Sequence, residues 1–219
     1  MFKVVEMFES INGEGYKAGQ LAYFVRFQGC NMNCVYCDTK WANKKDAPYQ
    51  LMSAQDIVSK VNEAHIKNVT LTGGEPMLQE EIEELIRLLY ENGHEVEIET
   101  NGSIDISSYD HCDYRPSFTL DYKCPDSGME KFVDVMNYDH IQEKDTIKFV
   151  CSSRIDLEKA YEIIEKYALN KKAHVYLSPV FGKIDPQEMV AFMLEKNMND
   201  VNLQLQMHKF IWDPEERGV

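Results

Sequence analysis

Three thiols stand close together at Cys30, Cys34 and Cys37, in the string CNMNCVYC, with the spacing C-x3-C-x2-C. Thiolates hold iron and zinc, and a structural zinc site normally closes its tetrahedron with a fourth protein ligand. The nearest histidine is His65 and the remaining cysteines are Cys112, Cys124 and Cys151, so a fourth ligand is absent locally although a distant one can fold in. The triplet therefore admits zinc stapling a loop, or a 4Fe-4S cluster whose fourth iron stays open to a small molecule. An electron-carrier cluster is disfavoured, because four cysteines normally complete one. Six cysteines, three grouped and three scattered, do not read as a disulfide scaffold in a chain of this length.

A second string, TLTGGEP from Thr70 to Pro76, places two glycines where backbone can approach a ligand closely, followed by the carboxylate of Glu75, an acceptor for an ammonium group. Alone it reads as a strand-to-helix connection with Pro76 near the first helical turn. The triplet followed by GGEP resembles the two signatures of the radical S-adenosylmethionine (SAM) superfamily. The resemblance implies that the open iron chelates the amino and carboxylate groups of SAM, and that an electron from the cluster cleaves the sulfonium to a 5'-deoxyadenosyl radical.

The elements that must position these groups are legible from periodicity. Strands are expected at Val4 to Phe8, Ala22 to Phe27, Val69 to Leu71, Glu95 to Glu99, Phe118 to Tyr122, Ile147 to Val150, His174 to Leu177 and Val201 to Leu205. A helix should start after Ser53, capped with Asp56, and carry Ile57, Val61 and Ala64 on one face. Ile82, Leu85, Ile86 and Leu89, and later Leu157, Ala160, Tyr161 and Ile164, repeat the one-face spacing of helices that cover a sheet. Strands alternating with such helices predict an α/β fold with a parallel sheet and functional groups at the strands' C-terminal ends. Too few helices are present for a full barrel, and the first strand looks like an addition. The expected architecture is an incomplete TIM-like barrel with about six core parallel strands, built as a single domain over residues 1–219.

With 44% hydrophobic and 27% charged residues, the composition is that of a globular protein. Lys3, Glu6 and Glu9 interrupt the N-terminus where a signal peptide needs an apolar stretch, so a soluble cytoplasmic protein away from membranes is expected. The net charge of −14 repels phosphate backbones and anionic lipids, which argues against nucleic acid as a partner.

The stretch FESINGEGYKAGQLAYFVRFQGCNMNCVYCDTKWA, from Phe8 to Ala42, resembles the 7-carboxy-7-deazaguanine synthase family of the queuosine pathway. The resemblance continues through ETNGS (Glu99 to Ser103), DYKCPDSGM (Asp121 to Met129), IKFVCSSRID (Ile147 to Asp156) and LQMHKFIWDPEERGV (Leu205 to Val219). It implies conversion of 6-carboxy-5,6,7,8-tetrahydropterin to 7-carboxy-7-deazaguanine with loss of ammonia, a 4Fe-4S cluster on Cys30, Cys34 and Cys37, SAM, Mg2+, a flavodoxin- or ferredoxin-type electron donor and a homodimer. It places Ile11, Asn12, Gly13, Glu14, Arg26, Thr72 and His208 around the substrate, with Asn12 where Gln is common in the family, and Thr39 on Mg2+. Around SAM it places Tyr36, Cys37, Asp38, Gly74, Glu75, Thr100, Asn101, Asp121, Tyr122, Lys123, Ser178 and Pro179. Plainer readings stand beside these: a solvated turn for Glu14, a buried ion pair for Arg26, a turn residue for Thr39, a core histidine for His208, and packing for Trp41 and Trp212. A glycyl-radical-enzyme activase, with the same triplet and a protein as its target, is the alternative enzyme; INGEG, Arg26, Thr39 and HKFIW favour the pterin.

Overall fold

Alternation along the strands decides which side of the sheet faces which solvent. In EVEIET, SFTLDY and TIKFVC, the residues Val96, Ile98, Phe118, Leu120, Ile147 and Phe149 belong to one buried apolar core. Their neighbours Glu97, Glu99, Thr119, Asp121 and Lys148 must then point to the other face. The computed structural model describes all 219 residues and bears this out.

The chain begins with β1 (Phe2–Ile11) and β2 (Leu21–Phe27), followed by the one-turn α1 (Lys40–Asn43), β3 (Gln50–Met52), α2 (Ala54–Ala64) and β4 (Asn68–Gly73). It continues through α3 (Ile82–Glu91), β5 (Glu95–Thr100), β6 (Ser117–Tyr122), β7 (Thr146–Cys151) and α4 (Arg154–Tyr167). It ends with β8 (His174–Pro179), α5 (Pro186–Glu195), β9 (Val201–Leu203) and α6 (His208–Ile211). One nine-stranded sheet has the order β3-β1-β2-β4-β5-β6-β7-β8-β9 and remains open, with β3 and β9 at its edges. From β2 to β8, six long strands run parallel, and the three-residue β9 extends them. β1 is antiparallel to β2, the addition anticipated from the sequence, and β3 pairs antiparallel with it. This is a partial barrel.

The helices cover only the apolar side. Ser53 and Asp56 form a reciprocal capping box at the start of α2, whose Ile57, Val58 and Val61 are buried. Ile82, Leu85, Ile86 and Leu89 of α3 and Leu157, Ala160, Ile163 and Ile164 of α4 join the same core. Pro76 opens a separate 3-10 turn, Pro76–Leu78, before α3 begins. The crossovers from β5 to β6 and from β6 to β7 carry 3-10 turns and no α-helix, which accounts for the shortage of helical patterns in the sequence.

Where helices are missing, a buried ion pair ties the crossovers. Arg115, just before β6, donates from Nη1 and Nη2 to both oxygens of Asp145, just before β7, at 3.0 and 2.6 Å. The two side chains are 4% and 0% exposed. Asp145 also accepts from the backbone N–H groups of Phe118 and Gln142. Removing the guanidinium strands a buried carboxylate, so Arg115→Leu should cost about 3 to 5 kcal/mol in a urea unfolding experiment. A loss below about 1 kcal/mol would show that the pair does not hold these crossovers together.

Candidate active site

The thiol loop leaves the C-terminal end of β2. Gln28 anchors its far side by donating from Nε2 to the carbonyls of Lys44 and Ala47 at 3.2 and 3.0 Å. On the near side, the backbone N–H of Glu75 donates to the carbonyl of Gly29 at 2.9 Å, and that of Gly74 to the carbonyl of Phe27 at 3.1 Å. The two loops are so close that a Cβ on Gly74 would overlap the Gly29 carbonyl. Gly73 has a φ of +129°, and a side chain there would strike the backbone of Phe27. Glycine at both positions is thus a requirement of the contact between the thiol loop and the GGEP loop.

Cys34 is buried, and Cys30 and Cys37 are half-buried. The backbone N–H of Met32 points at Cys30 Sγ at 3.4 Å, and the amides of Asn101 and Asn43 approach Cys30 and Cys37 Sγ at 3.7 and 3.8 Å. Burial pushes the Cys30 thiol up, with Glu75 adding to the effect and the Met32 and Asn101 donors opposing it. Burial likewise raises Cys34, opposed by Lys123. Such thiols release their protons on binding metal, and the N–H donors then stabilise the thiolates. No three Cys, His, Asp or Glu side chains converge as they would around a single metal ion. Three thiols spread along one loop, with amide donors at two of them, suit three separate corners of a 4Fe-4S cluster.

Behind the loop, Glu75 is fully buried. Its Oε1 accepts from Met77 N–H and Thr100 Oγ1, and its Oε2 from Asn101 N–H at 2.7 Å. Burial raises its carboxyl, against those three donors. Three of the roughly four acceptor directions of a carboxylate are filled, leaving one for an ammonium. Asn101 in turn reaches Asn31 Oδ1 and Cys30, so GGEP, Thr100, Asn101 and the thiol loop form one hydrogen-bonded assembly.

The concave face of the barrel holds charge. Lys123 Nζ binds Asp121 Oδ2 at 2.7 Å, and Lys148 Nζ binds Glu14 Oε2 at 3.2 Å. Burial opposes ionisation of Asp121, but Lys123 and Lys148 together hold its carboxyl below the usual range. Burial works against the charge of Lys123 too, and Asp121 and Cys34 outweigh it and raise its pKa. Several polar atoms here are buried without a partner: Asn12 Nδ2, Glu14 Oε1, Glu97 Oε2, Asp121 Oδ1 and Ser178 Oγ. Orphaned buried groups of this kind mark a site for a polar ligand.

The INGEG loop enters this space from the opposite end. Because β1 is antiparallel and Ile11 pairs with Leu21, the first residue of β2, the loop departs from the N-terminal edge of the parallel strands. It then turns inward. Asn12 Oδ1 accepts from Thr70 Oγ1 at 2.8 Å, Gly15 lies against Glu97 and Thr119, and Glu14 reaches Lys148. The C-terminal segment locks it there: Gln204 exchanges two hydrogen bonds with the Gly15 backbone, Gln206 donates to Glu14, and Met207 N–H donates to the Gly13 carbonyl. His208 covers Gly13 so closely that a Cβ there would meet its ring. Burial lowers the His208 pKa, against Glu14, Asp38 and Glu99.

The remaining sequence candidates fall around this core. Arg26 donates from Nε to Glu6 Oε1 at 2.6 Å across the β1–β2 pair, and its two Nη groups have no protein partner. Thr72 donates to Glu99 Oε2 at 2.7 Å. Thr39 donates to Asp38 Oδ1 at 3.2 Å beside Cys37 Sγ. Tyr36 donates to the Val150 carbonyl, opposite Ser178 and one pair from Pro179 in the β7–β8 register. The Tyr122 ring is packed in the apolar core and leaves only its backbone on the concave side. Trp41 lies under the Arg217 guanidinium, 4.2 Å from its ring centre, so the C-terminal tail crosses beside the thiol loop. Sequence reasoning missed Glu97, Glu99, Thr119 and Lys148, all on the polar half of alternating strands whose other half the helices cover.

Fold and thiol loop together define a radical SAM protein, and the Radical SAM superfamily model matches residues 24–193. A 7-carboxy-7-deazaguanine synthase of Clostridium acetobutylicum is 55% identical over all of this chain and 99% of its own length. Another, from Methanospirillum hungatei, is 35% identical over 97% of this chain and 86% of its own. Among solved structures, QueE from Escherichia coli matches the fold with a TM-score of 0.75 at 24% identity, covering 94% of each chain. The chain belongs to the 7-carboxy-7-deazaguanine synthase family of the radical SAM superfamily, a family whose cofactors are a 4Fe-4S cluster and SAM.

Two tests follow from the geometry. Gly74→Ala should push the GGEP and thiol loops apart and lower iron and sulfide content per chain after reconstitution; full loading would refute the close-contact requirement. Burial, with help from Glu99 and against the Thr119 hydroxyl, pushes the Glu97 carboxyl up to about 7 from an ordinary value of 4.5. Between those values the native state holds a proton that the unfolded chain has released, so this group makes stability fall as pH rises. Glu97→Gln should therefore gain stability over the parent by up to a few kcal/mol between about pH 5 and about pH 8. A urea midpoint difference that stays constant with pH would count against a raised Glu97.

Proposed function

We propose that the chain converts 6-carboxy-5,6,7,8-tetrahydropterin to 7-carboxy-7-deazaguanine with loss of ammonia, the whole of residues 1–219 serving as one radical SAM domain. The observation that carries this reading is the set of unpartnered polar atoms on the concave face of the sheet. When bound, the cluster and SAM supply the reductive cleavage that generates a 5'-deoxyadenosyl radical. The tasks of this chain's residues are to bind, orient and exclude water.

Cys30, Cys34 and Cys37 hold the cluster. Glu75 offers its remaining acceptor direction to the SAM ammonium; Tyr36, Asp38, Gly74, Thr100, Asn101, Asp121, Lys123, Ser178 and Pro179 line the rest of the cofactor, and Tyr122 contributes backbone. At the other end, Glu14 Oε1 accepts from the N–H edge of the pterin and Asn12 Nδ2 donates to a ring acceptor, with Ile11 and Gly13 shaping the loop between. The free Nη pair of Arg26 suits the substrate carboxylate in a two-pronged contact, since Glu6 occupies only Nε. Thr72 and His208 complete the wall. The Thr39 hydroxyl, beside the Asp38 carboxylate, provides oxygen donors of the kind Mg2+ takes.

An external low-potential electron donor of flavodoxin or ferredoxin type, a homodimer and a cytoplasmic setting belong to the same reading. No helix is long and apolar enough to cross a membrane. The activase alternative gains no support from the named relatives.

The test is anaerobic reconstitution with iron and sulfide, then incubation with SAM, reductant, Mg2+ and 6-carboxytetrahydropterin, with the product followed by mass spectrometry. Deazaguanine is expected from the parent protein, none from Cys34→Ala, and a slower yield with an intact cluster when Mg2+ is chelated. SAM cleavage without deazaguanine would overturn the substrate assignment.

A further inference from the structure

Lys148 occupies the third position of β7, where alternation turns it into the barrel, and its side chain is only 9% exposed. The roles assigned above leave it without one. Its Nζ lies 3.2 Å from Glu14 Oε2 and 3.9 Å from Asp121 Oδ2, bridging a carboxylate of the inserted loop and one on β6. Each carboxylate has the same arrangement. The oxygen nearest Lys148 is engaged, by Gln206 as well on Glu14 and by Lys123 on Asp121, while the other oxygen is buried with no partner. The ammonium hydrogen-bonds Glu14 and meets Asp121 as an ion pair, so one charge serves both carboxylates.

We infer that Lys148 is a positioning residue that holds Glu14 and Asp121 by one oxygen each and so aims the other oxygen of each at a ligand: Glu14 Oε1 at the N–H donors of the pterin, Asp121 Oδ1 at SAM. This rests on the assignment of pterin and SAM to the barrel interior. Without the ammonium, Glu14 keeps only the neutral Gln206 donor, and Asp121 keeps Lys123 alone. The two carboxylates then face each other with less to fix their direction. Lys148 thus sets the geometry of both binding sites from the wall between them, touching neither reacting atom.

The experiment is a double-mutant cycle on the cluster-loaded protein, with equilibrium dissociation constants for SAM and for 6-carboxytetrahydropterin as readouts and iron content as the check on loading. Glu14→Gln is expected to weaken the pterin and leave SAM unchanged. Adding Lys148→Met in that background should weaken SAM roughly threefold or more, the scale of an ion pair at 3.9 Å without a hydrogen bond, while adding less than about twofold to the pterin loss. Lys148→Met alone should weaken both ligands. If that single variant does not fold, the double variant, which carries one buried carboxylate fewer, still decides the matter. An unchanged SAM constant on adding Lys148→Met, or pterin losses that multiply, would overturn the proposal and reduce Lys148 to a structural counter-charge. Failure of the parent protein to make deazaguanine would instead strike the substrate reading and leave the SAM arm standing.

Discussion

Ionised groups on the concave side of an open sheet are the constraint around which the rest of the molecule is arranged. Taking a carboxylate or an ammonium out of water costs several kcal/mol unless a partner meets it. Glu14, Asp121, Lys123 and Lys148 are between 9% and 19% exposed, and each carboxylate meets an ammonium: Glu14 meets Lys148, and Asp121 meets Lys123 and Lys148. That need explains the strand pattern. A barrel of ordinary type fills its interior with branched apolar side chains; here the apolar half of each strand faces outward to α2, α3, α4 and α5, and the polar half is turned in. The hydrophobic core is therefore a shell, and what it encloses is a charged chamber.

Such a chamber needs both ends defined. At the C-terminal end, Gly29, Gly73 and Gly74 let two loops meet backbone to backbone, which brings Cys30 beside Asn101 and buries Glu75 beneath them. At the N-terminal end, no strand provides a floor. The antiparallel β1 supplies it by delivering Asn12 to Gly15 into the lower barrel, and Gln204, Gln206 and Met207 clamp the loop from the C-terminal side. The open sheet thus gains a floor from segments far apart in sequence.

Much of this was legible in the residues. The capping pair Ser53 and Asp56, the one-face stripes of α3 and α4 and the eight expected strands are local signals, and local physics produced them. The thiol triplet and GGEP declared their neighbourhood because both sit at strand ends. What was not legible depended on distant partners. β3 has three residues and exists because β1 offers an edge. Lys148 in TIKFVC looks like a lone charge in an apolar run until Glu14, from the start of the chain, is placed beside it. Glu97 and Glu99 read equally well as the solvated face of an edge strand; only the position of β5 inside the sheet turns them inward. β9 was expected to reach Leu205 and ends at Leu203, because Gln204 turns to meet Gly15.

Asn12 shows how the loop and the chamber fit together. Its Oδ1 accepts from Thr70, its backbone N–H and C=O pair with Gln20 and Gly19, and its Nδ2 alone has no partner. A side chain one methylene longer would not meet Thr70 in the same way. In this chain the Thr70 contact fixes the amide, so the nitrogen is a donor with one direction. Glu14 Oε1, in the same loop, is an acceptor buried without a donor. A buried polar group left unsatisfied costs about 1 to 3 kcal/mol, and a single ligand that presents donors and an acceptor removes several such penalties together. An aminopyrimidinone edge has that pattern. Groups that weaken the fold when alone are in this way the ones that select what the chamber holds.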